Sequence, residues 1–167
     1  DELRPISLYG EEYMLTAPAQ STTAKLTGNL NSSDEDFTSE GLGYKTCDMY
    51  VYDSLGNTYN VQFRITQVPD STTGYMLSVN KIFNGTEEVT TMSASINGTD
   101  AMTTPDNAGT VGIPINFDPT KGTIVTANGE APTFELSLID NSGNTPAAPN
   151  GNAATFPTNI VVDFGDM

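Results

Sequence analysis

The side chain with the most distinctive chemistry in this 167-residue chain is the thiol of Cys47, its only cysteine. A cysteine nucleophile needs a general base, and the chain contains no histidine. The same composition argues against a disulfide framework and against the familiar zinc, blue-copper and iron–sulfur sites. Cys47 alternates with Met49 and Val51 along a predicted strand, with Lys45 two residues before it on the same face. The pattern favours a small buried hydrophobe at Cys47.

Acidic residues are numerous, and two loops could offer oxygen ligands to calcium. They are the Asp-Glu-Asp run at residues 34–36 and the segment from Asp100 to Asp106. Neither follows the alternating Asp/Asn pattern with a distal Glu that builds a calcium loop, so we interpret both as solvated loop charge. Composition alone does not exclude a carboxylate pair for glycoside hydrolysis, but the chain lacks tryptophan and indicates no aromatic cleft. The sequence therefore predicts no catalytic residue, no metal and no cofactor.

The element that positions Cys47 is a β-hairpin at residues 47–65. Apolar and polar side chains alternate with a period of two on both sides of a turn at residues 53–57 (DSLGN). An aspartate can bond its own backbone in such a turn, while glycine and asparagine accept positive φ. Ser54 is interpreted as a turn residue, and the Asn-Gly pairs at Asn84, Asn97, Asn128 and Asn150 predict further hairpin or loop turns.

The rest of the chain has the closely spaced turn signals that are typical of an all-β domain. Gly, Pro, Asn, Ser and Thr clusters separate short alternating runs, and we find no segment with convincing helical periodicity. We expect an antiparallel β-sandwich or a partly closed β-barrel with long polar loops at residues 31–43 and 140–157. The predicted strands cover residues 24–30, 46–53, 59–68, 74–83, 91–97, 112–117, 122–126, 133–139 and 159–164.

Net charge and hydropathy limit the classes of binding partner that the chain can have. With 6 basic residues against 21 acidic ones the net charge is −15, which disfavours nucleic acid and anionic membrane surfaces. No apolar run approaches the roughly 20 residues that a membrane-spanning helix needs. The N-terminus shows no signal-peptide pattern, so either a signal was removed before residue 1 or none was used.

Four segments, in order along the chain, resemble the outer portion of bacterial flagellar hook proteins. The hairpin turn at residues 51–57 (VYDSLGN) is similar to a strand-and-turn signature of that family. The other segments are residues 17–32 (APAQSTTAKLTGNLNS), 115–124 (INFDPTKGTI) and 161–167 (VVDFGDM). Their order matches the order in the family, which makes the set more specific than any one segment.

The resemblance implies a structural, non-enzymatic subunit of the hook, the flexible universal joint that transmits motor torque to the filament. Residues 1–23 would lead in from the inner hook domain, residues 24–157 would form the outer β domain, and residues 158–167 would form an exit strand. We also expect residues 3–18 and 158–167 to lie side by side, in antiparallel pairing. The partners would be other hook subunits in a full-length extracellular homopolymer, exported without a cleaved signal peptide, whereas this fragment would be monomeric.

The resemblance also implies a covalent cross-link. In spirochaete hook proteins a cysteine near this position loses its sulfur to become dehydroalanine, and a lysine of a neighbouring subunit adds to it as lysinoalanine. Cys47 is the corresponding thiol, and Lys25 and Lys45 are the candidate amines, although the family spacing is not reproduced. Lys45 is better placed to tune the thiol, and Lys25 could serve as the donor. The competing hypothesis is a surface binding module, an adhesin or a carbohydrate-binding β-sandwich. Helices encoded on both sides of this domain would favour the hook.

Overall fold

A computed structural model describes residues 19–26, 37, 43–68, 74–104, 111–117, 120, 124–125, 133–140 and 159–164. Within these ranges there is no α-helix and the regular structure is β. The two long loops predicted at residues 31–43 and 140–157 lie almost entirely outside them. Eleven strands are present: β1 Thr23–Lys25, β2 Tyr44–Tyr52, β3 Thr58–Gln67, β4 Gly74–Asn84, β5 Glu87–Glu88, β6 Met92–Ile96, β7 Thr99–Asp100, β8 Ile113–Phe117, β9 Ile124–Val125, β10 Thr133–Asp140 and β11 Ile160–Asp163.

The strands form two sheets. Sheet A has the order β1-β11-β10-β6-β7, and sheet B has the order β2-β3-β4-β8-β9 with β5 paired to β4. Named strands pair antiparallel except β1 and β11, which are parallel. The all-β prediction is confirmed. Neither sheet closes into a barrel, so of the two predicted architectures, sandwich and partly closed barrel, the structure shows the sandwich. The short strands β5 and β7 were not predicted, because two residues are too few to show alternation.

The core lies between the inner faces of the two sheets. In β3, Phe63 is fully buried, and its ring meets the ring of Phe134 in β10 edge-on at 5.9 Å between centroids. Phe134 in turn lies 5.2 Å from Phe164, which follows β11. Burying each such side chain is worth about 1.5–3 kcal/mol, and the Phe63–Phe134 contact helps to hold sheet A on sheet B.

A β-bulge resets the alternation of β4. Tyr75, Leu77 and Val79 point inward, yet the next inward residue is Ile82 rather than position 81. The register with β3 shifts at this point, since Gln62 faces Lys81 while Phe63 faces Val79. The extra residue, Asn80, allows one strand to keep its apolar face inward along its whole length.

The chain crosses between the sheets directly after β7. The amide of Ala101 donates to Ala94 of sheet A at 2.9 Å, while its carbonyl accepts from Val79 of sheet B at 2.8 Å. The amide of Thr103 then donates to the Val79 carbonyl at 2.8 Å. This crossing segment occupies the stretch of the β4 edge beyond the residues that pair with β8.

The two ends of the described sandwich are neighbours. Strand β1 pairs with β11 in the register Thr23 to Val161, Ala24 to Val162 and Lys25 to Asp163, and this pairing is parallel. The expected antiparallel partner of β11, residues 3–18, lies outside the described residues. The division at residues 1–23, 24–157 and 158–167 stays a prediction. In the structure β11 pairs with β10 on its other side and belongs to sheet A.

Candidate functional site: the β2–β3 hairpin

The hairpin turn is organised around the buried carboxylate of Asp53, which is 0% exposed. One carboxylate oxygen accepts hydrogen bonds from the backbone amides of Leu55 at 2.8 Å and Asn57 at 2.9 Å. The other accepts from the Asn57 side-chain amide at 2.7 Å. Gly56 takes the left-handed conformation, with φ of 84°, that closes the turn. The aspartate role predicted from the sequence is confirmed, whereas Asn57 contributes its side chain rather than positive φ.

Tyr59 extends this network into the core. Its ring is buried, and its phenol hydrogen-bonds the Asp53 carboxylate. Burial and then the negative charge of Asp53 raise the pKa of Tyr59 to about 12. The sequence analysis did not predict this pair. A signal was available, because Tyr59 follows Asp53 by six residues across a tight turn and faces inward. The residues of the 51–57 signature therefore fix the shape of the turn, and the carboxylate oxygens of Asp53 are occupied by hydrogen bonds within the hairpin.

Cys47 lies on the inward side of β2, opposite Phe63 of β3. It is half-buried and packs against the hydrophobic core. Desolvation, with a smaller contribution from the neighbouring Asp48, raises the pKa of its thiol to about 11. Because thiolate is the reactive form, the raised pKa disfavours reaction of this thiol at neutral pH.

The two candidate lysines occupy different places. Lys45 precedes Cys47 by two residues on β2 and is half-buried opposite Ile65. Lys25 is exposed on β1, in sheet A, where its register partner is Asp163. Cys47 and Lys45 therefore share one strand of sheet B, whereas Lys25 belongs to the other sheet.

The acidic loops give no calcium site in the described part of the chain. The carboxylate of Asp100 accepts a hydrogen bond from the backbone amide of Met102 at 3.1 Å. Residues 34–36 and Asp106 lie outside the described residues. Among those that are described, no group of three or more His, Cys, Asp or Glu side chains is placed to hold a metal ion.

The outer face of sheet B is a polar surface whose side chains bond one another. Gln62 accepts from Asn80 at 2.8 Å and donates to Asp48 at 3.4 Å. The guanidinium of Arg64 stacks on Tyr44, 3.8 Å from the ring centroid. Near the turn this face also carries Tyr50 and Tyr52, which are 62% and 47% exposed, and Lys81 forms an ion pair with Glu88 at 2.7 Å.

These features define a class of protein: an all-β sandwich module whose sheet B carries a largely polar outer face. The inward face of the hairpin is filled by core side chains, and the carboxylate of Asp53 at the turn accepts hydrogen bonds from two backbone amides and from the side chains of Asn57 and Tyr59. Among the described residues no helix is long and apolar enough to cross a membrane.

Comparison with known proteins identifies the family. The family model described as the flagellar basal body protein FlaE D2 domain matches residues 18–167. The chain belongs to this family, the D2 domain of the flagellar hook protein, and is a structural component of the flagellar hook. The match confirms the resemblance found in the sequence and does not favour the adhesin alternative. No curated protein matches the chain.

Proposed function

We propose that this chain is the outer β domain of a hook subunit in the flexible joint that carries motor torque to the filament. The observation that carries the proposal is the family match across residues 18–167, which includes every strand described above. In the full-length protein this domain would pack on other hook subunits outside the cell. The subunit would be exported without a cleaved signal peptide, and the isolated domain would be monomeric without inner-domain helices.

A joint must bend repeatedly, so contacts between outer domains must rearrange at low cost. The outer face of sheet B suits this requirement. Several of its polar side chains bond one another, as Gln62 does with Asn80 and Asp48, so these side chains do not depend on a fixed partner in a neighbouring subunit. Wet polar contacts of small apolar area can slide without exposing a large hydrophobic surface. We infer that neighbouring outer domains slide over such faces as each protofilament is compressed and extended.

Lysinoalanine formation at Cys47 is a separate part of the proposal. The thiol is half-buried against the core, so elimination of its sulfur would require local opening of β2 or a base supplied by a neighbouring subunit. Lys25 is exposed and is the better candidate donor to another subunit, whereas Lys45 is half-buried beside the thiol. Mass spectrometry of assembled hooks distinguishes the outcomes. A peptide joining the Cys47 position to a lysine supports the cross-link, and an intact thiol in every subunit refutes it.

The hook assignment is tested by isolating hooks with their basal bodies from the bacterium that encodes the chain. We expect this chain to be the main protein of the hook fraction, within a longer subunit carrying heptad-like helical segments on both sides of the domain. Nucleic-acid binding is not expected at a net charge of −15. Absence of the chain from purified hooks would refute the proposal.

A further inference from the structure

The first and last strands of the described sandwich form its only parallel pair of named strands. The carbonyl of Thr22 accepts from the amide of Val161 at 3.0 Å, and the amide of Leu26 donates to the carbonyl of Asp163 at 2.9 Å. The register between these two bonds is continuous. The ladder thus extends one residue beyond β1 at each end, from Thr22 to Leu26.

Strand β11 is enclosed as well as paired. It lies between β1 on one side and β10 on the other, so it has no open edge along its length. Its inward side chains Ile160 and Val162 are fully buried, as is Phe164 directly after it. Leu26, directly after β1, is buried in the same core. Both strands therefore anchor apolar side chains at the ends of their ladder.

A second set of bonds ties the segment before β1 to the other sheet. The amide of Ser21 donates to the carbonyl of Tyr52 at 2.9 Å, and the amide of Tyr52 donates to the Ser21 hydroxyl at 3.0 Å. Residues 21–26 consequently bond sheet B through Tyr52 and sheet A through β11. A pull on the chain before residue 21 reaches both sheets within six residues.

We propose that this parallel pair, with the Ser21–Tyr52 contact, is a mechanical clamp through which the domain resists tension between its two ends. Because β1 and β11 run in the same direction, tension pulls β1 backward and β11 forward along their common axis. The bonds of the ladder are then loaded together in shear. In an antiparallel pair of adjoining ends the same tension would open the bonds one after another, at lower force.

The use of this clamp in a torque-bearing joint rests on the proposed function, but the clamp itself rests on the strand geometry alone. Single-molecule force spectroscopy tests it on the full 167-residue chain. Handles are attached through cysteines in a Cys47→Ala background, at Ala19→Cys and Met167→Cys for the terminal geometry. The comparison uses Leu55→Cys and Thr86→Cys, which lie in two turns at the same end of sheet B, next to the start of β3 and the end of β4.

In the comparison geometry the β3–β4 ladder is peeled from one end. We expect the terminal geometry to unfold at a force about twofold higher or more, because its backbone bonds share the load rather than breaking in turn. An unfolding force in the terminal geometry equal to or below that of the comparison geometry would overturn the clamp.

A matched pair of proline variants locates the load. In the parallel ladder the residues of β1 that bond β11 are the even-numbered ones, as Thr22 and Leu26 show, so the amide of Ala24 faces β11 and that of Thr23 faces away. Ala24→Pro should lower the terminal unfolding force, whereas Thr23→Pro should leave it near the parent value. Equal forces for the two variants would refute the assignment. Hook isolation tests the function independently, so either claim can fail alone.

Discussion

Replacing Asp53 by alanine is the sharpest perturbation of the hairpin that carries the family signature. Its carboxylate accepts three hydrogen bonds of 2.7–2.9 Å within the turn and a further one from Tyr59. Asp53→Ala leaves the backbone amides of Leu55 and Asn57 without their acceptor. At about 1–3 kcal/mol for each unsatisfied buried donor, the two amides alone amount to about 2–6 kcal/mol.

The two amides are only part-buried, and removing the carboxylate also relieves the free-energy cost of burying a charge, so the expected loss lies in the lower half of that range. We therefore expect Asp53→Ala to lower the free energy of unfolding by about 3 kcal/mol, a large fraction of the roughly 5–15 kcal/mol typical of a domain. Asp53→Asn, which keeps one acceptor oxygen, should lose about half as much.

The assay is urea unfolding at neutral pH, followed by far-UV circular dichroism and by tyrosine fluorescence, since the chain has seven tyrosines and no tryptophan. Asp48→Ala is the matched control, because Asp48 is an exposed aspartate of the same hairpin that accepts a bond of 3.4 Å from Gln62. It should change the free energy of unfolding by less than about 0.5 kcal/mol. If Asp53→Ala is as mild as Asp48→Ala, the carboxylate does not hold the turn and the reasoning fails.

Two further predictions concern stability. The folded-state pKa values of Cys47 and Tyr59, about 11 and about 12, exceed their ordinary values of 9.0 and 10.0. The contribution of these two protonated groups to the free energy of unfolding is therefore complete below the ordinary pKa values, and it is lost as pH rises through the folded-state pKa values. The urea midpoint should fall between pH 9 and pH 12, and the fall should be shallower in a Cys47→Ala, Tyr59→Phe double variant; an equally steep fall would contradict these shifts. Gly112→Ala, at φ of 112° and with a Cβ that would overlap the Leu77 carbonyl, should lose about 3 kcal/mol or more in the same urea assay. Gly98→Ala, at φ of 76° with open space around it, should lose about 1–2 kcal/mol, and equal losses would refute the close approach.

The sheets could be predicted from local pattern wherever one face of a strand is buried. Strands β2 and β3 show clean alternation because each inward residue, such as Met49 or Val61, alternates with a polar one. The bulge at Asn80 could not be predicted, because a phase shift within one strand depends on the partner register. The parallel pairing of β1 with β11 was also beyond local pattern, since it joins residues far apart in the chain.

The candidate site likewise has features that could be predicted from the local sequence and features that could not. Asp53 could be assigned to the turn because Asp, Gly and Asn carry their conformational preferences locally. Its burial and its bond to Tyr59 could not, because both depend on how the turn packs on sheet B. For Cys47 the sequence allowed either a buried hydrophobe or a cross-linking thiol; the structure shows a half-buried thiol on the inward face, and the cross-link stays a prediction.

Immunogold electron microscopy tests most directly the claim that this domain lies on the outside of the hook. Antibodies raised against the folded domain would be applied to intact flagella of the bacterium that encodes it. The outer-domain assignment predicts labelling along the hook, between the cell surface and the filament, without prior denaturation. Labelling of the cell body or the filament with a bare hook would contradict it.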